Sequence, residues 1–157
     1  MTTRSQGLWP SFGGSPADML EIDQLISAYA HSIDANRFDD NGRLFMPDAV
    51  FELKWQDADG KLHPMNNGKG VRFVGTETRV GFQRKMANNP PALDRKKNGE
   101  GHQLINRIID VNGDKAFVRC YRVGGVMQYE IDLARTPQGW RFANVLIIWD
   151  KDREFPI

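Results

Sequence analysis

A single cysteine, Cys120, makes an internal disulfide impossible, so the chain must hold together by packing and hydrogen bonds. Charge of neither sign is in excess, with 21 Lys and Arg against 20 Asp and Glu. Such a chain has no broad field to draw in nucleic acid or an anionic membrane, and neither is expected as a partner. No apolar run approaches the ~20 residues of a membrane span. Residues 1–16 lack the apolar stretch of a secretory signal, and a cytoplasmic location is expected. The three histidines, His31, His63 and His102, are scattered without metal-ligand spacing. The chain carries no glycine-rich phosphate loop, no dinucleotide fingerprint, no zinc-protease helix motif and no nucleophile elbow. Neither a metal nor an organic cofactor is expected.

What is present fits one domain of 157 residues. Residues 1–16 are rich in Gly, Ser and Thr and read as an N-terminal arm, with Trp9 and Phe12 as its docking residues. Residues 17–157 form the domain. Ser15 can cap a helix that Pro16 and Asp18 favour in its first turn. Leu20, Ile22, Leu25, Ile26, Tyr29, Ala30 and Ile33 recur at helical spacing and give it a wide apolar face as far as about Asp34. A short second helix is expected near Phe38 to Phe45, ended by Pro47. Ala49 to Trp55 reads as a strand, and Asp57 to Gly60 as a turn into a possible return strand at His63. Residues 64–70 read as a loop. A third helix is expected from a Thr cap near Thr76, with Val80, Phe82 and Met86 on its apolar side. Residues 88–101 form a long loop. Four strands follow, at 102–111, 115–123, 126–135 and 140–149, joined by tight turns at Asn112-Gly113-Asp114, Gly124-Gly125 and Pro137-Gln138-Gly139. Such strands are antiparallel neighbours. The fold class is α+β: N-terminal helices packed on a curved antiparallel sheet shaped as a cone, with room inside for a ligand.

The chemical signal is polar residues at positions where apolar ones are expected. On the strand 102–111, strict alternation puts His102, Leu104, Asn106 and Ile108 on one face, and Gln103, Ile105, Arg107 and Ile109 on the other. Both faces carry aliphatic residues, so alternation leaves open which one faces the core. Asp34 sits at the end of the first helix, where a carboxylate opposes the helix dipole. It either caps the next turn or reaches a partner such as His31, three residues earlier. A carboxylate beside a histidine fixes the imidazole tautomer and raises its basicity. Cys120, in mid-strand, reads as packing.

Several segments together resemble the SnoaL-like branch of the nuclear-transport-factor-2-like superfamily. They are Ile22-Asp23-Gln24-Leu25-Ile26 leading to Tyr29-Ala30-His31-Ser32-Ile33-Asp34, then Phe38 and Leu44 to Phe51, His102 to Asn106, Val111 to Ala116, and Gly139-Trp140-Arg141-Phe142. The likeness covers residues from about 20 to 150. It implies a helix-closed cone with the ligand inside. Enzymes of the superfamily include scytalone dehydratase, bile acid dehydratase, a hexachlorocyclohexane dehydrochlorinase, ketosteroid isomerase, polyketide cyclases and an epoxide hydrolase. Asp34 matches the aspartate that the dehydratases keep at the end of their first helix. His102 looks like their strand histidine, and Tyr29 matches a tyrosine that holds a substrate oxygen. The chain departs from the dehydrochlorinase near Val145, where that enzyme has an arginine on the last strand.

The resemblance implies a cofactor-free lyase or isomerase of dehydratase type acting on a hydrophobic oxygenated small molecule. His102, Asp34 and Tyr29 are its expected catalytic residues. Asn106, Tyr121, Trp55, Phe82, Met127 and Trp149 are expected to bind substrate. A polyketide-cyclase-like enzyme or a non-catalytic binding or dimerisation module are the alternatives. An open sheet face and the arm favour a homodimer or homotrimer.

Overall fold

Ser15 opens the first helix, its hydroxyl accepting a hydrogen bond from the Asp18 amide at 3.1 Å. The computed structural model describes residues 13–88, 97–123, 127–155 and 157. The expectations for Trp9, Phe12, the turn at Gly124-Gly125 and most of the 88–101 loop lie outside those residues. The elements run α1 (Pro16–Asp34), α2 (Phe38–Gly42), β1 (Phe45–Gln56), β2 (Leu62–Pro64), β3 (Val71–Val74) and α3 (Thr76–Ala87). They continue with β4 (Leu104–Asn112), β5 (Lys115–Arg122), β6 (Met127–Thr136) and β7 (Gly139–Trp149).

The described strands form one seven-stranded sheet in the order β2-β1-β7-β6-β5-β4, with β3 also paired to β1. β4 to β7 are consecutive antiparallel neighbours, as the short turns require. The crossing from β1 to β7 is parallel and joins the two halves of the chain. Ile22, Ile26, Tyr29 and Ile33 of α1 are buried, as are the inward rows Ala116, Val118, Cys120 on β5 and Tyr129, Ile131, Leu133 on β6. Each large apolar side chain so buried contributes roughly 1.5–3 kcal/mol. This is the α+β cone that the sequence pattern leads one to expect.

Local boundaries differ in four places. The second helix ends at Gly42, and Phe45 to Pro47 belong to β1, where a register irregularity between Phe45 and Val50 accommodates the proline. The strand Val71–Val74 is an element the sequence reading did not include; it pairs with Val50 to Leu53. α3 is capped by Gly75 with φ 91°, not by a threonine, and the Thr76 hydroxyl donates instead to the Met46 carbonyl at 3.0 Å. β4 begins at Leu104, so His102 and Gln103 precede it.

β4 also contains the device that defeats strict alternation. Asn106 has φ 52°, and the pairing with β5 shifts between Ile105 and Ile108. A bulge of this kind reverses which parity faces inward. Leu104 is buried before it, and Ile109 and Val111 are buried after it, while Ile105 and Asn106 are exposed. Arg107 anchors the bulge to α1, donating from Nη1 to Asp23 Oδ1 at 2.5 Å and to Ser27 Oγ at 3.2 Å.

Candidate active site

Helix α1 stops where it does because Asn36 takes the left-handed conformation, φ 57°. The Arg37 amide donates back to the Ser32 carbonyl at 2.8 Å and the Asn36 amide to Ile33 at 3.0 Å. This closing turn satisfies the last carbonyls and leaves Asp34 in the final turn of the helix. Its carboxylate reaches across to the segment entering β4. Asp34 Oδ1 lies 2.6 Å from His102 Nδ1, and Oδ2 accepts from the His102 backbone amide at 2.8 Å. Two contacts from one carboxylate to one residue fix both the position and the ring orientation of the imidazole. His31, the nearer partner in sequence, is exposed.

The pair stands at the mouth of a cavity of about 130 Å³. The His102 side chain is 19% exposed and that of Asp34 36%, so the imidazole borders both the cavity and the entrance. Apolar walls come from Ile33, Phe38, Phe51, Leu53, Phe82, Met86, Met127, Ile147, Trp149 and Phe155. The polar lining is Tyr29, Tyr129, Asn36, Gln83, Glu100 and Arg122 besides the pair itself. Tyr29 and Tyr129 are buried and pack edge to face with ring centroids 6.4 Å apart. Burial raises the pKa of both hydroxyls, against the pull of the nearby Arg122 charge. Tyr29 is therefore a neutral hydrogen-bonding group, not a phenolate base.

A network behind Tyr29 holds the three helices together. Asn41 on α2 donates to the Tyr29 carbonyl at 3.1 Å and to Ser32 Oγ at 2.8 Å. Its own carbonyl accepts from Arg79 Nη2 on α3 at 2.5 Å. The Arg79 guanidinium is buried over the Phe45 ring, 3.7 Å from its centroid. Desolvation lowers its pKa to about 10, so it stays charged at neutral pH.

Of the residues proposed from sequence, the structure gathers His102, Asp34, Tyr29, Phe82, Met127 and Trp149 around one cavity. It does not gather Asn106, Tyr121 and Trp55. Asn106 is exposed because the bulge turns it away from the interior. Tyr121 is 46% exposed because it alternates with inward-facing Cys120 and Arg122. Trp55 stacks on His63 across the β1–β2 pairing at 4.5 Å, outside the cavity wall. Arg122, Tyr129 and Glu100 line the cavity and were missed. Arg122 had a signal: it continues the alternating row Ala116, Val118, Cys120. A second histidine–carboxylate contact, His63 Nε2 to Asp57 Oδ2 at 2.6 Å, lies in the β1–β2 hairpin and outside the cavity lining. Among the described residues no cluster of three or more His, Cys, Asp or Glu could hold a metal. No described helix is long and apolar enough to cross a membrane.

A cone of curved sheet closed by N-terminal helices, with a polar pair at its mouth, is the NTF2-like, cystatin-like architecture. The same fold occurs in an NTF2-like protein of Novosphingobium aromaticivorans, 19% identical, with a TM-score of 0.63 over 85% of this chain and 82% of that one. It occurs also in a candidate scytalone dehydratase from the same organism, 16% identical, with a TM-score of 0.59 over 83% of each chain. An uncharacterised protein of Mycobacterium tuberculosis, Rv2910c, is 30% identical over 139 residues, 80% of each chain. The SnoaL-like domain matches residues 15–145, and the chain belongs to that family.

Proposed function

We propose that the protein is a lyase or isomerase that moves a proton on a hydrophobic oxygenated small molecule held in the cone. One observation carries this reading: the 2.6 Å contact between Asp34 Oδ1 and His102 Nδ1 at the edge of an apolar cavity. With Asp34 accepting from Nδ1–H, the basic lone pair of the imidazole is on Nε2. His102 removes a proton from carbon next to a carbonyl, and the electron pair moves onto the carbonyl oxygen. The imidazolium that forms is stabilised by Asp34. In a dehydration the enolate then expels a neighbouring hydroxyl, which leaves as water with the proton from His102. In an isomerisation the same proton returns to a different carbon. Tyr29, neutral and buried, donates a hydrogen bond to a substrate oxygen. Proteins of the same fold include a candidate scytalone dehydratase, whose reaction class supports this reading.

The test is exchange of solvent deuterium into aryl ketones and hydroxyketones that bind, followed by proton NMR. Wild-type protein should label the position next to the carbonyl, and His102→Ala and Asp34→Asn should lose that labelling. Ketones that bind without any exchange would overturn the proton-transfer reading and leave a binding module.

A further inference from the structure

The inward row of β5 ends in a cation. Ala116, Val118 and Cys120 are buried, and Arg122 continues the same parity into the cavity wall. Its backbone pairs with Leu104 on one side and Met127 on the other. Leu104 is two residues beyond His102, so the guanidinium rises from the strand beside the one the histidine introduces. A charged residue on an apolar inward row is costly to bury unless it has a partner.

Arg122 has little of that kind. Its one described hydrogen bond runs from Nη1 to Met127 Sδ at 3.8 Å, and a thioether is a weak acceptor. Nε is buried without an acceptor. Among the described residues no carboxylate lies within ion-pair distance of it, whereas Arg107, Arg119 and Arg135 all have one. Trp149, also in the cavity wall, has a buried indole N–H without an acceptor. The negative charge of Asp34 is already engaged by His102.

We infer that Arg122 is the oxyanion-binding group of the cavity, and that the ligand is an aromatic or alicyclic molecule carrying a carboxylate, or a carbonyl that becomes an enolate. The oxygen replaces the Met127 thioether as the partner of the guanidinium, and the flexible methionine moves aside to make room. A planar guanidinium suits a carboxylate or enolate better than a point charge does. The inference rests on the proton-transfer reading for its enolate form. Its binding form stands without that reading.

Three probes of similar size separate the possibilities: phenylpropanoate, benzylacetone and butylbenzene. Their dissociation constants are measured by tryptophan fluorescence for wild type, Arg122→Met and Arg122→Lys, with thermal melts to confirm folding. The expected result is that Arg122→Met weakens phenylpropanoate relative to butylbenzene on the order of tenfold or more, the size of one hydrogen bond to a charged group. Arg122→Lys should keep part of that preference. A matching loss for benzylacetone points to the carbonyl form; a loss confined to phenylpropanoate points to an organic acid. If neither oxygenated probe changes relative to butylbenzene in Arg122→Met, the assignment is overturned. Deuterium exchange into bound benzylacetone is read in the same samples. Its absence with an Arg122-dependent preference sinks proton transfer and leaves oxyanion binding standing.

Discussion

A methyl group placed on Gly101 would lie 2.7 Å from Asp34 Oδ2. Gly101 precedes His102, so the carboxylate can hold the histidine only because this neighbour has no side chain. Gly101→Ala should push the carboxylate off His102 with little loss of fold, since Asp34 is at the surface end of α1. The expected outcome is a fall in proton-exchange rate of about tenfold to a hundredfold with a near wild-type melting temperature. Unchanged exchange would show that the pair tolerates displacement.

Asp18 ties the start of α1 to the far end of the sheet. Its Oδ1 accepts from Arg135 Nη1 at 2.8 Å and from the Trp140 indole at 3.1 Å. These bonds, Arg135 first, hold its carboxyl well below the usual range. A carboxyl depressed in the folded state contributes stability that is fully present above its unfolded pKa and is lost as pH falls below about 4 toward the folded value. Asp18→Asn should lower the melting temperature at pH 7, and the gap to wild type should narrow as the pH is taken below 4. A gap independent of pH would assign the effect to lost geometry instead.

Arg79 is buried beneath the site, with Nε and Nη1 lacking acceptors. Arg79→Ala opens a cavity and strips Asn41 of its donor, and should cost on the order of 2–4 kcal/mol by urea denaturation. Arg84, one and a half turns on, pairs with Asp39 at the surface at 2.6 Å. Arg84→Ala should cost about 1 kcal/mol or less. Equal costs would remove Arg79 from the structural network.

Asn106 tests the bulge. Asn106→Gly suits φ 52° and should preserve stability, whereas Asn106→Val forces a branched side chain into the left-handed region at about 1–2 kcal/mol. Asn106→Gly should also leave ligand binding unchanged, because the side chain points away from the cavity. A loss of binding would restore it to the site.

The helices and the last four strands were legible because their periods are long and regular. The inward face of β4 was not, since one residue in the left-handed region at Asn106 switches parity midway, and the aliphatic pairs Leu104 with Ile108 and Ile105 with Ile109 cancel. Asp34 and His102 came together through likeness to a known family; helix spacing alone offered His31. Tyr121 and Arg122 were within reach of plain alternation, which places Cys120 inward, Tyr121 outward and Arg122 inward. Trp55 and His63 share a hairpin register that two separate segments do not announce. Val71–Val74 is too short, and has Arg72 within it, to declare itself as a strand.

The parallel seam between β1 and β7 has a consequence for how the protein is made. Val50 meets Asn144 and Trp55 meets Trp149, so the first long strand waits for the last one before it has a neighbour on that side. Contacts this distant in sequence slow folding. On a ribosome, a nascent chain that stops short of β7 has its histidine and its carboxylate but no Ile147 or Trp149 to close the wall behind them. Function should therefore need the final strand and the Phe155 segment that follows it, and a chain truncated before Gly139 should lose both the fold and ligand binding.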